Sequence, residues 1–309
     1  MSAHGAPPTF LVVGAARSGT TGMVEGLRSH PRVFVTEPKE PHYFAFHGTT
    51  PDFAGPGDAH TINRVAITDR DSYLALYPAQ PHDFLALGDG SVSTLYYHEH
   101  ALPEAVELNP DVRMVVLLRE PIARAYSSHQ YMRARGFEPY EDFLQAVEDE
   151  PRRKAENYHH LWHYTSMSMY ADSIEALQKA VPPDQLGIWF YDDLDRDYEG
   201  TVRQVLRFLD VPPVEGEAEG VPRVNISGRP RFESVQQALR WATRHDALRR
   251  GVKWVTTYRF RERIRRLTLR SGGVPPEAME KLRPVFAEDL ARLRTLLPGD
   301  DVPSWLSES

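Results

Sequence analysis

Residues Gly14 to Thr21 read "GAARSGTT", directly after the apolar run "TFLVV". A glycine-bracketed turn between a strand and a helix suits phosphate, because backbone N–H groups converge there and the helix dipole favours negative charge. A loop for nucleoside triphosphates has the form G-x-x-x-x-G-K-[ST], whose lysine reaches the β and γ phosphates. Gly14 and Gly19 have that spacing, but Thr20 stands in the lysine position and the nearby cation is Arg17. With backbone N–H groups from Ser18, Gly19, Thr20 and Thr21, the loop suits one phosphate and serves a triphosphate poorly. Taken alone, it is also compatible with a plain strand-to-helix turn.

A second constellation lies in "LLREPIARAYSSHQYM". Arg119 ends an apolar run and Ser127 follows two turns into the next helix. Ligands of a parallel sheet gather at the carboxyl ends of its strands, so Arg119 is expected on the same rim as the Gly14 loop. Two phosphate sites on one rim suggest a nucleotide with phosphates at both ends of its ribose. The alternative for Arg119 is an ion pair with Glu120 or Glu37.

Short β-rich runs alternating with longer helical patterns position these residues, the pattern of a parallel sheet covered by helices. The runs are Thr9 to Val13, Leu85 to Gly88, Val112 to Leu118 and Leu186 to Tyr191, and most are continuously apolar, as strands buried on both faces are. A helix in "TGMVEGLRSH" stops before Pro31, and "PIARAYSSHQYMRARG" opens on proline and closes at Gly136. Further helices are expected at Met169 to Ala180, Tyr198 to Leu209, Phe232 to Ala247 and Pro276 to Leu297. Thr36 to His60 and Val211 to Pro230 read as loops. The fold class is α/β, a three-layer P-loop-like fold with a central parallel sheet and a helical C-terminal region, in one domain spanning 1–309 with its core at about 9–305.

The 309 residues carry a formal charge of -7 and no cysteine. Without cysteine there are neither disulfides nor thiolate metal ligands, which fits a reducing compartment, and a cytoplasmic location is expected. No export signal or apolar stretch long enough for a membrane span is visible. From Arg240 to Arg270 eleven Lys/Arg face two acids, a balance of +9 that leaves -16 for the remainder. This stretch reads either as solvated amphipathic helices or as a surface for an anionic partner. Nucleic acid is not expected, because the acidic remainder repels phosphate.

Taken together, these motifs resemble the sulfotransferases that use 3′-phosphoadenosine 5′-phosphosulfate (PAPS). "GAARSGTT" looks like their 5′-phosphosulfate loop, and Arg119 with Ser127 like their 3′-phosphate site. The likeness continues through "KEPHYF", "LGIWFYDDL", "VLRFLDVP", "VNISGRPR" and "LRPVFAEDLARLRTLL". It implies that Arg17 meets the bridging oxygen and the transferring sulfonate, while Ser18, Gly19, Thr20 and Thr21 hold the 5′-phosphate. It further implies that Tyr191 lies against the adenine and that Arg229 closes on the 3′-phosphate. Adenosine 3′,5′-bisphosphate is then the product, and no metal is required.

In carbohydrate-type members the glutamate of a Glu-x-His-aromatic-aromatic pattern is the general base. Glu40 of "EPHYF" matches it, with His42 as the alternative, since small-molecule members use a histidine. Burial against Tyr43 and Phe44 is expected to raise the Glu40 pKa toward neutrality. One departure concerns Gly90, which follows Asp89 where glycosaminoglycan-modifying members tend to carry lysine. Loss of that cation points to a small-molecule or sugar acceptor of lower charge, without a nucleic-acid or membrane partner. The acceptor pocket is expected from Thr36 to His60, "STLYYHEH" and "YHHLWHYTSMSMY". Two further readings stand beside this one. One is a P-loop kinase or triphosphatase; the other is a non-catalytic nucleotide-binding protein with a basic partner-binding surface.

Overall fold

The computed structural model describes residues 5–79, 81–212, 229–230, 269–270, 273–299 and 301–307. Its centre is a five-stranded sheet of β1 (Phe10–Gly14), β2 (Val33–Val35), β3 (Ala86–Asp89), β4 (Arg113–Leu118) and β5 (Leu186–Phe190). The order is β2-β3-β1-β4-β5, and every neighbouring pair is parallel. The four apolar runs read from the sequence are β1, β3, β4 and β5. The three-residue β2 is an addition at the edge.

Period-two alternation explains why these strands are apolar throughout. Leu11 and Val13 of β1, with Met114, Val116 and Leu118 of β4, face one apolar layer together with Ile174, Leu177 and Leu293. Phe10 and Val12, with Val115 and Leu117, face the other, built from Met23, Leu27, Val202 and Val205. β1 and β4 therefore bury both faces, at about 1.5–3 kcal/mol per large apolar side chain. Helices Thr20–Arg28 and Tyr198–Phe208 form one outer layer. Helices His98–Leu108, Ala171–Ala180 and Pro276–Leu296 form the other. This is the three-layer α/β arrangement expected.

The β1·β4 register shifts between Val12 and Gly14, so the chain leaves the sheet at the phosphate loop. Helix Pro121–Ala134 begins with proline in its first turn, and the Glu120 carboxylate accepts from the N–H groups of Ile122 and Ala123. Past its end, Gly136 turns the chain at φ 76°. The Thr36 to His60 loop contains two helical turns, Tyr43–Phe46 and Asp58–Thr61. Buried Asp58 ties it to the "YHHLWHY" segment by accepting from Trp162 Nε1 (2.9 Å), His159 N (3.0 Å) and Gly55 N (2.9 Å).

The expected helix at Phe232 to Ala247 lies outside the described residues, as do most of the Val211 to Pro230 loop and of the basic Arg240 to Arg270 stretch. Arg229–Pro230 pairs antiparallel with Leu269–Arg270. No helix among the described residues is long and apolar enough to cross a membrane.

Candidate active site

The Gly14 to Thr21 loop is shaped by two left-handed residues, Arg17 at φ 70° and Gly19 at φ 88°. Position 19 requires glycine twice over, because a Cβ there would also lie 2.5 Å from Leu194 Cδ2. Helix Thr20–Arg28 then starts with no side-chain cap and no acidic residue in its first turn. An uncapped helix start at the carboxyl rim of a sheet leaves its N–H groups and positive dipole end for an anion. One expectation is corrected: the Ser18 N–H is committed to Ala15 O at 3.2 Å, closing the turn, so this amide does not point at a ligand. The Ser18 hydroxyl is buried with no partner among the described residues.

Around this loop the sequence-derived residues converge. Arg119 Nη1 donates to Arg17 O at 3.0 Å, and its guanidinium lies 4.3 Å from the centre of the Tyr191 ring. Arg17 Nε donates to Ser127 Oγ at 3.3 Å, and its guanidinium lies 4.6 Å from the Tyr131 ring centre. Five residues separated by up to 174 positions, Arg17, Arg119, Ser127, Tyr131 and Tyr191, thus form one cationic, aromatic-backed corner. Arg119 joins neither proposed acidic partner: Glu120 caps its helix, and Glu37 faces Arg28 at 3.6 Å. Arg229 is described by its backbone alone, and its side chain lies outside the described residues.

Sequence reading passed over Arg124, which is wholly buried under the loop and reaches Tyr164 O at 2.7 Å and Ala16 O at 3.5 Å. It braces the loop from below. Nothing in the local spacing of "PIARAYSSHQYM" separates it from a solvated helix arginine.

Glu40 lies 2.6 Å from Lys39 Nζ and 4.0 Å from His42 Nε2. Burial pushes its pKa up, but Lys39, His42 and Arg17 together outweigh burial and hold it below the ordinary glutamate value. The expected upward shift is therefore overturned. The cause is the set of cations around the carboxylate, with the Lys39 ammonium at 2.6 Å foremost. His42 adopts φ 59°, donates its backbone N–H to Ser91 Oγ at 3.1 Å, and sets Nδ1 2.8 Å from Ser93 Oγ. Burial lowers its pKa, with Glu40 opposing and Lys39 adding to the drop.

Lys39 also alters the meaning of Gly90. The two residues are bonded reciprocally, Gly90 N to Lys39 O at 3.0 Å and Lys39 Nζ to Gly90 O at 3.1 Å. A Cβ on residue 90 would lie 3.5 Å from that ammonium. The cation missing from the sequence at position 90 is thus present in space, supplied by Lys39. A Cβ would also meet Val24 Cγ2 at 2.6 Å, so Gly90→Ala is expected to destabilise the fold by about 1–3 kcal/mol. Urea unfolding checks this; an unchanged midpoint refutes the packing account.

The expected acceptor segments do meet. His160 is buried among His42, Phe46, Tyr96 and Tyr97 with centroid separations of 5.4–6.5 Å, and neither ring nitrogen has a partner among the described residues. Burial keeps these imidazoles neutral, pushing His159 down to about 3 and His163 down to about 4. A cleft of about 470 Å³ runs from Ala15 past Tyr96, Tyr97, Met167 and Tyr170 toward His98. His98 and His100 are engaged with the carbonyls of Leu95 and His47.

Comparison with known proteins gives this geometry a context. The family model "Sulfotransferase domain" matches residues 7–227. Human bifunctional heparan sulfate N-deacetylase/N-sulfotransferase 3 is 27% identical over 224 residues, covering 67% of this chain and 22% of that protein. Human carbohydrate sulfotransferase 15 is 24% identical over 159 residues, covering 40% of this chain and 27% of its own length. The chain thus aligns with only about a quarter of these relatives. Among solved structures, a sulfotransferase from Alicyclobacillus acidocaldarius superposes with a TM-score of 0.72 at 24% identity, covering 97% of this chain and 99% of its own. Mouse sulfotransferase SULT7A1 complexed with PAP superposes at 0.53 with 15% identity, covering 99% and 89%. With a family match over residues 7–227, well more than half its length and a span that contains Arg17, Arg119, Ser127 and Tyr191, the chain belongs to the sulfotransferase family.

Proposed function

We propose that this enzyme transfers the sulfuryl group of PAPS to a hydroxyl of a small-molecule or sugar acceptor, releasing adenosine 3′,5′-bisphosphate. The observation that carries the reading is the meeting of Arg17, Arg119, Ser127 and Tyr191 beside an uncapped helix start. Such a corner fits a nucleotide with two separated phosphates. The unpartnered Ser18 hydroxyl and the open first turn of Thr20–Arg28 fit the 5′ side, and Arg119 with Ser127 fits the 3′ side. Tyr191, already backing a guanidinium, offers a face to the adenine. Gly19, Thr20 and Thr21 hold the 5′-phosphate through the helix start, and Arg229 is assigned to the 3′-phosphate by resemblance. PAP in the mouse neighbour supports the same ligand class.

PAPS supplies an activated sulfonate on a phosphate leaving group. Displacement there spreads negative charge over non-bridging oxygens, so fixed cations and amides provide most of the catalysis, by analogy with phosphoryl transfer. Arg17 remains charged at working pH and stabilises the leaving phosphate by charge and hydrogen bonding, without giving up its proton. Glu40 accepts the acceptor's hydroxyl proton, and His42 holds the loop beside it. We read residues 1–309 as one sulfotransferase domain in a cytoplasmic setting, with no metal in the chemistry. The kinase reading requires a lysine where Thr20 stands.

A thermal-shift titration with adenosine 3′,5′-bisphosphate, ADP and ATP–magnesium tests the reading. At about 100 times its dissociation constant the bisphosphate is expected to stabilise the fold by about 2.7 kcal/mol. Stabilisation by ATP–magnesium alone would return the loop to the kinase class. A response to none of the three would leave the fold without this chemistry.

A further inference from the structure

Helix Pro121–Ala134 presents Ser127 and Tyr131 on one face, and Arg135, its right-handed C-cap residue, continues the four-residue spacing. The Tyr131 ring is shared by two guanidinium groups, Arg17 at 4.6 Å and Arg135 at 5.1 Å from its centre. The two charges therefore lie within about 10 Å of each other. Arg135 also lies 5.7 Å from the Phe137 ring centre. Phe137 packs against Gly57 of the loop that carries Glu40 and His42, and Arg135 is close enough to His159 to lower its pKa. The face thus runs from the nucleotide corner at Arg17 and Ser127 toward the side of the expected acceptor.

Charge accounting separates Arg135 from its neighbours. Arg133 pairs with Glu141 at 2.9 Å, Arg152 with Asp149 at 2.7 Å and Arg153 with Glu138 at 2.7 Å. Arg135 is exposed and makes no ion pair among the described residues, although acids prevail outside the basic stretch. Its guanidinium is held by two aromatic rings, a contact that fixes the group while leaving its N–H donors unspent. Arg17 and Arg119 answer the two phosphates of the proposed nucleotide; Arg135 answers neither.

We propose that Arg135 is an acceptor-binding residue that receives an anionic substituent, a carboxylate or sulfate, on the molecule being sulfated. The planar fork of a guanidinium matches either group through paired charge-assisted hydrogen bonds. This rests on the sulfuryl-transfer reading above and narrows its acceptor to a hydroxylated anion. Lys39, though near Gly90, is paired with Glu40 at 2.6 Å and is not free for this role.

The test is calorimetric titration of 4-nitrophenyl β-D-glucuronide and of the matching glucoside, which lacks only the carboxylate, into protein saturated with adenosine 3′,5′-bisphosphate. The glucuronide is expected to bind about tenfold tighter, the equivalent of 1.4 kcal/mol. In Arg135→Gln that preference is expected to vanish, and in Arg135→Lys to persist in part. Thermal unfolding checks that both variants are folded. Equal affinities in the wild type, with absence of binding by both counted as equal, overturn the proposal, as does a preference that survives in Arg135→Gln. Failure to saturate with the bisphosphate would strike the function reading instead, and the sugar pair titrated into the nucleotide-free protein would still decide the role of Arg135.

Discussion

Arg119→Ala is expected to weaken adenosine 3′,5′-bisphosphate binding by about 2–5 kcal/mol, the usual cost of truncating one partner of a hydrogen-bonded charge pair. Arg119 stands immediately after β4, supports the Arg17 carbonyl at 3.0 Å and lies against Tyr191. Its own carbonyl accepts from Tyr170 Oη at 2.9 Å, so the backbone position is fixed independently of the side chain. Truncation therefore removes charge from the corner and one hydrogen bond to the Arg17 carbonyl, while the backbone at position 119 stays in place. Calorimetry with the 3′,5′-bisphosphate beside adenosine 5′-phosphate separates the roles, because only the first ligand carries the phosphate assigned to Arg119. Equal losses for both ligands would make Arg119 a support for the loop rather than a phosphate contact.

The difference between what the sequence discloses and what the fold adds follows from range. "TFLVVGAARSGTT" announces a strand, a turn and a helix start within thirteen residues, and "LLREPIARAYSS" announces a strand end at Arg119 with Ser127 in the helix that follows, because each depends on local spacing. The reach of Lys39 over Gly90 depends on two segments 51 positions apart folding together, and no local pattern signals it. The sign of the Glu40 shift turns on geometry of another kind: Lys39 is its neighbour in sequence, but spacing alone does not say that the ammonium closes on the carboxylate at 2.6 Å with His42 and Arg17 adding to its effect. Edge strand Val33–Val35 was missed for another reason. Three residues are too few to establish a period, and its pairing with β3 decides its form. The four-residue helices in the Thr36 to His60 loop are similarly set by tertiary anchors, Asp58 above all.

Glu40→Gln is expected to lower kcat by about 10²–10⁴-fold, the range for loss of a positioned general base, with bisphosphate binding almost unchanged. Glutamine keeps the shape and can still meet Lys39, so the loop is retained while the proton acceptor is lost. The pH dependence gives an independent reading. A base acts in its ionised form, so activity falls as pH drops through the pKa of Glu40. Lys39, His42 and Arg17 set that pKa below the ordinary glutamate value of 4.5 despite burial. The Glu40 limb of kcat/KM is therefore expected below 4.5, leaving the rate flat with respect to this group at neutral pH. Lys39→Met removes a principal stabiliser of the carboxylate and is expected to move the limb upward. If Glu40→Gln keeps its turnover, the proton passes to His42, whose Nε2 faces the same carboxylate at 4.0 Å. The acid limb would then follow the imidazole, in its lowered range below 6.5, and His42→Asn would abolish it. The ion pair between adjacent residues 39 and 40 thus decides how the base is read: a carboxylate kept charged by its neighbours sacrifices basicity and gains an ionised state across the physiological pH range.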